Sequence, residues 1–157
     1  MTMRTNQWLV LAGFVGLCLG VAALGGLSTA QSVTSWYPTL NKPSWNPPSW
    51  TFGPVWTTLY VMMAVAAWLV WKHGKGAQAA LTLFFIQLGL NCLWSFLFFG
   101  AQSPALALID IAALWIMLAL TTFSFFKLSQ AAGLLMLPYL AWVSFAATLN
   151  FAIWNLN

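Results

Sequence analysis

Long apolar runs separated by short polar joints organise this chain. Five of them, Trp8–Leu27, Trp50–Trp71, Ala79–Phe99, Pro104–Phe126 and Ala131–Trp154, each hold roughly the 20 residues that an α-helix needs to cross a hydrocarbon core. None shows the polar–apolar alternation over about ten residues that marks a transmembrane β-strand. Backbone groups in lipid must be satisfied within their own segment, which favours helices. The pattern predicts an all-α membrane protein: residues 1–157 as a single five-helix transmembrane domain, with a Pro/Trp-rich loop between helices 1 and 2. The first run follows Arg4 and ends near Ser28-Thr29-Ala30, in the manner of a signal peptide. Its apolar core exceeds the roughly 7–15 residues of a signal, so it reads as a retained helix. Ala12, Gly16 and Gly20 stand four apart on it, a small-residue face that admits a close neighbour from the bundle or from a second subunit.

Composition sharpens this picture. The chain is 62% hydrophobic and 4% charged, against about 25% charged in soluble domains. Its natural solvent is therefore lipid. The net charge of +4 comes from scattered cations without a basic stripe, which excludes a nucleic-acid partner. Those cations instead report topology. Arg4, Lys72, Lys75 and Lys127, with His73, fall on one side of a five-span bundle, and Lys42 alone falls on the other. For a bacterial cell membrane the asymmetry predicts a cytoplasmic N-terminus and an external first loop. Cys18 and Cys92 lie in apolar runs and offer no disulfide framework.

Residues 36–56 carry four Trp and five of the seven Pro. Proline excludes both helix and central strand there, and Trp settles at membrane interfaces. A rigid aromatic loop at the mouth of a bundle has the form of a lid, or of a belt that seats the protein. Trp8, Trp68, Trp71 and Trp154 near span ends read as belt. Beneath the loop, polar and aromatic positions converge. Gln87, Asn91, Trp94 and Phe98 share one face of the third helix, and Tyr139, Trp142, Ala146, Leu149 and Asn150 share one face of the fifth. Trp56 and Tyr60 lie four apart in the loop-side half of the second. Asp110 lies about two turns into the fourth, where a carboxylate is a functional hypothesis by default; it is either protonated or paired with Lys42. Gln87, Asn91 and Asn150 suit interhelical hydrogen bonds as well as ligand contacts. Pro138 predicts a kink beside the aromatic face of the fifth helix. The sole His lies in a loop on the far side, leaving no His–carboxylate metal cluster and no activated nucleophile. A dry aromatic cavity with a few amides suits a flat, largely apolar ligand.

The run Trp36-Tyr37-Pro38-Thr39-Leu40-Asn41-Lys42-Pro43-Ser44-Trp45-Asn46-Pro47-Pro48 resembles the first-loop signature of the TspO/translocator protein family, the tryptophan-rich sensory proteins. So do Gly53-Pro54-Val55-Trp56 with Tyr60, Gln87-Leu88 through Asn91 and Trp94, Phe98-Phe99-Gly100, and Pro138-Tyr139-Leu140-Ala141-Trp142 through Leu149-Asn150. The resemblance runs in order from about Trp36 to Trp154. It implies a five-helix membrane protein, often a homodimer, that binds porphyrins such as protoporphyrin IX and requires no cofactor. Carried over by position, the ligand pocket comprises Asn46, Phe52, Trp56, Asn91, Trp94, Asp110, Trp142, Ala146 and Leu149, with Tyr60, Gln87 and Asn150 nearby. The family's sterol motif has the form Leu-x-Tyr-x-x-x-Arg; here Leu149-Asn150-Phe151-Ala152-Ile153-Trp154-Asn155 lacks both Tyr and Arg, so the case for sterol is the weaker.

Three functions follow from this reading. The first is a porphyrin-binding sensory or translocator protein that holds its ligand under the loop for transport or regulation, with Lys42 as the cation for a propionate. The second is an enzyme that degrades porphyrin with light and oxygen, with Trp94 and Trp142 as electron donors. The third is an assembly partner of other membrane proteins.

Overall fold

The computed structural model describes residues 6–157; the topology signal at Arg4 lies outside them. The five expected helices are present: α1 Gln7–Ser32, α2 Phe52–Trp71, α3 Gln78–Ser95, α4 Pro104–Leu128 and α5 Gln130–Leu156. All five are long and apolar enough to cross a membrane. The helices close a ring in the order α1–α2–α5–α4–α3, every neighbouring pair antiparallel except α1 and α3, which run parallel. The polar groups of the spans face inward, where Gln87, Asn91, Thr121 and Asn150 are all at most 3% exposed. The outer surface is apolar, with Leu27, Ile109 and Phe123 more than 60% exposed. This inverted distribution is what lipid requires, since an unpaired polar group in hydrocarbon costs several kcal/mol, on the order of 4–8 without any partner.

Local chemistry fixes the helix ends. Asn6 caps α1 by accepting from the Trp8 N–H, and Ser103 caps α4 by accepting from Leu106, with Pro104 in its first turn. Ser129 alone joins α4 to α5. Its N–H donates to the Phe125 carbonyl, and its hydroxyl accepts from the Ala132 N–H. So short a link presses the two helices together at Gly133, where any Cβ would overlap the Phe126 ring.

Two features differ from expectation. The third helix does not end regularly: Phe96–Gly100 forms a π-helical turn closed by Ala101 N–H on the Phe96 carbonyl. Phe98 and Phe99 in this turn both face inward, at 2% and 7% exposure. Trp68 is not belt. It is buried, donates its indole N–H to the Gln7 carbonyl at 2.9 Å, stacks on Trp8 and lies under the Lys72 ammonium. Pro138 does lie within α5, but on its exposed side, turned away from the aromatic face.

Gly133→Ala should lower the thermal unfolding midpoint in detergent, by the roughly 1–3 kcal/mol typical of overpacking, and Phe126→Ala in the same chain should restore it. An unchanged midpoint for Gly133→Ala would contradict the tight α4–α5 contact.

Candidate functional site

Beneath the first loop lies a cavity of about 300 Å³, at the lower end of the roughly 300–1,000 Å³ usual for small-molecule sites. Nine of the residues expected there line it: Phe52, Trp56, Tyr60, Asn91, Trp94, Trp142, Ala146, Leu149 and Asn150. Three do not. Asn46 belongs to the loop, where it accepts a 2.7 Å hydrogen bond from the Tyr37 hydroxyl. Gln87 lies one turn below Asn91, under the floor. Asp110 is buried on α4, outside the lining, and its Oδ2 has no hydrogen-bond partner.

The floor is a hydrogen-bonded chain across three helices. The Tyr60 hydroxyl of α2 donates to Asn91 Oδ1 of α3 at 2.6 Å. Asn91 Nδ2 donates to the Tyr139 oxygen of α5, and the Tyr139 hydroxyl donates to Gln87 Oε1 at 2.9 Å. One amide thus has both ends engaged, and the two readings of Asn91 converge: it joins helices while it lines the cavity. Asn150 does likewise, accepting from the Trp94 indole at 3.0 Å and donating to the Pro104 carbonyl at 2.8 Å.

The walls are aromatic. Trp142 meets Trp56 and Phe52 edge-on, with ring centroids 6.4 and 6.2 Å apart, and Trp94 stacks on Phe98 at 5.1 Å. The Trp142 indole N–H is buried without a partner. A buried donor left unmade costs about 1–3 kcal/mol, so a ligand acceptor there has something to gain.

The roof is fastened on several sides. Tyr37 is buried against Phe52, Phe98 and Phe99, and burial pushes its phenol above the ordinary value, keeping it a neutral donor to Asn46. Asn41 exchanges hydrogen bonds with Asn157 and bonds the Leu156 carbonyl. Trp45 rests on Phe145. Lys42 neither pairs with Asp110 nor points free for a propionate. Its ammonium donates to the Tyr37 and Leu40 carbonyls at 2.8 and 2.9 Å and sits over the Tyr37 ring. The loop has no other cation, and this one is spent on the loop's own backbone.

The α1 wall was not among the expected site residues. Ala22, Gly25, Gly26, Thr29, Ala30 and Val33 all contribute. They are small or weakly polar, so neither aromatic nor amide signals mark them. Ala22, Gly26 and Ala30 do stand four apart, a small-residue face that spacing could have found. The face at Ala12, Gly16 and Gly20 is instead exposed, and a Cβ at either glycine meets nothing. The close approach on α1 is at Gly25, beside Ser95 of α3.

Asn91→Leu and Tyr60→Phe should each destabilise the bundle by about 1–3 kcal/mol. Thermal unfolding of both single variants and the double should show the double costing less than the sum, because they break one shared chain. Strictly additive losses would mean that the floor is not a network.

The TspO/MBR family profile matches residues 14–155. The Tryptophan-rich protein TspO of Chlorobaculum tepidum is 49% identical over 156 residues, covering 97% of this chain and 98% of that one. The Translocator protein of Sus scrofa is 40% identical, covering 96% and 91%, and the Tryptophan-rich sensory protein of Cereibacter sphaeroides is 39% identical, covering 96% and 93%. With a five-helix bundle and a match over nearly its whole length, this chain belongs to the TspO/MBR family.

Proposed function

We propose that this membrane protein of the sensory/translocator family binds a flat, largely apolar tetrapyrrole, with protoporphyrin IX as the probe of choice, in the cavity beneath the first loop. The observation that carries the reading is the Trp142 indole N–H, buried without a partner in the wall of an aromatic cavity. Aromatic walls supply stacking and edge contacts of about 0.5–1.5 kcal/mol each beyond burial. A small turn of the Trp142 ring would uncover this donor for one directional contact to a ligand oxygen or ring nitrogen. With Lys42 engaged by loop carbonyls, the binding energy is apolar and not ionic. The cation asymmetry supports an external position for the loop, which would set the cavity in the outer half of the membrane.

Titration of the protein in lipid nanodiscs with protoporphyrin IX, in the dark and followed by Trp fluorescence, tests this directly. Saturable quenching is expected. Trp142→Phe keeps an aromatic ring but removes the N–H and part of the indole, so it should raise Kd at least roughly fivefold, about 1 kcal/mol. Quenching that never saturates would reject the proposal and favour an assembly role; loss of porphyrin absorbance only under light and oxygen would favour the degradative one.

Lys42→Met separates lid staple from ligand cation. It should lower the affinities for protoporphyrin IX and for its neutral dimethyl ester by the same factor. A larger loss for the dicarboxylic form would restore Lys42 as a propionate partner.

A further inference from the structure

Five of the cavity-lining residues are also exposed on the outside of the bundle: Gly26 and Ala30 on α1, Gly53 and Thr57 on α2, and Ser49 just ahead of α2. Every lining residue of α3 and α5 is buried or half-buried. The cavity therefore reaches the surface along one seam, between α1 and α2, in the half nearest the loop. Gly26 and Ala30 stand four apart, as do Ser49, Gly53 and Thr57, so each set forms a strip on one side of its helix. A Cβ built at Gly26 or Gly53 meets nothing within 4 Å, so no side chain plugs the gap.

The other half of this seam is shut. Trp68 binds the Gln7 carbonyl and stacks on Trp8, and farther along α1 Cys18 is fully buried. The roof is shut as well, by the Asn41–Asn157 pair, the buried Tyr37 and the Lys42 staple. The surface around the opening belongs to the membrane: Leu24 and Leu27 are 51% and 70% exposed beside it, and Trp50 is 74% exposed at its rim.

We infer that the α1–α2 seam is a lateral portal through which an apolar ligand passes between the cavity and the acyl chains of the loop-side leaflet, with the loop staying in place. The inference takes only the ligand's identity from the proposed function; the route stands on the geometry of the seam. It adds a selection step, because a molecule must first dissolve in the bilayer and then slip edge-on between two strips of small side chains. Flat apolar rings meet both conditions, and water-soluble ligands of similar volume fail the first.

Two measurements test it. In the first, protoporphyrin IX held in vesicles is mixed with nanodisc-embedded protein, and Trp quenching gives association and dissociation rates. Gly26→Leu and Gly53→Leu place a branched side chain in the gap, from a Cβ that meets no neighbour within 4 Å. Each should slow both association and dissociation about tenfold, which is ~1.4 kcal/mol on the barrier. Unchanged rates would overturn the portal.

The second measurement needs no porphyrin. A diazirine-bearing hydrocarbon dissolved in the nanodisc lipid is photolysed, and labelled residues are mapped by mass spectrometry beside a charged, water-soluble diazirine. The portal predicts hydrocarbon labels on Trp94, Trp142 or Ala146 and none there from the aqueous probe. Cavity labelling by the aqueous probe, or none by the hydrocarbon, overturns it. Hydrocarbon labelling in a protein that shows no saturable porphyrin binding would reject the proposed function and leave the portal standing.

Discussion

The chain of hydrogen bonds from Tyr60 through Asn91 and Tyr139 to Gln87 is the interaction on which the rest of the structure depends. In a bilayer, apolar burial gives helices little reason to prefer one another over lipid, so packing and interhelical hydrogen bonds decide which faces meet. Here one amide engages α2 and α5 together, and the bond from Tyr139 returns to α3 a turn lower. The pairing of Trp94 with Asn150, and of Asn150 with the Pro104 carbonyl, adds α4 at the level above. Four helices are thereby fixed at a common depth. α1, which carries no amide at that level, is tied only near its ends, by the Trp68 indole on the Gln7 carbonyl and by the Ser32 hydroxyl on the Phe99 carbonyl, and by packing between them.

That difference explains the form of the cavity. Where amides tie helices, the walls are closed and aromatic side chains fill them. Where α1 meets α2 near the loop, small residues line both sides and nothing is tied. A bundle needs one flexible boundary if a ligand is to come and go while the polar floor stays intact. The loop takes no part in that flexibility: its prolines set its path, its tyrosine is buried, and its lysine is consumed by its own carbonyls.

Much of this was legible in the chain, because it follows from local periodicity. The inward faces of the third and fifth helices were marked by residues spaced three and four apart, and the structure turns those faces inward. Lys42 was read by its charge, but three carbonyls lie within reach of its ammonium and outcompete a distant carboxylate. Asp110 was read by its cost in lipid; it faces the bundle interior yet misses the cavity, because depth along a helix does not specify which neighbour a side chain meets. Trp68 looked like belt from its position near a span end, and burial against α1 gives it another task. The π-helical turn at Phe96–Gly100 left no periodic trace over so short a stretch.

Sequence alone determined five spans, the side of the bundle that bears the lid, and the inward faces of α3 and α5, since span length and 3.6-residue periodicity are properties of each segment taken singly. Tertiary structure alone decided the ring order α1–α2–α5–α4–α3, the closing of the floor through Tyr139, the fastening of the loop to Asn157 and the open seam beside Gly26 and Gly53. Those are relations between segments. Short turns permit several ring orders, and only the packing of specific side chains against one another selects among them.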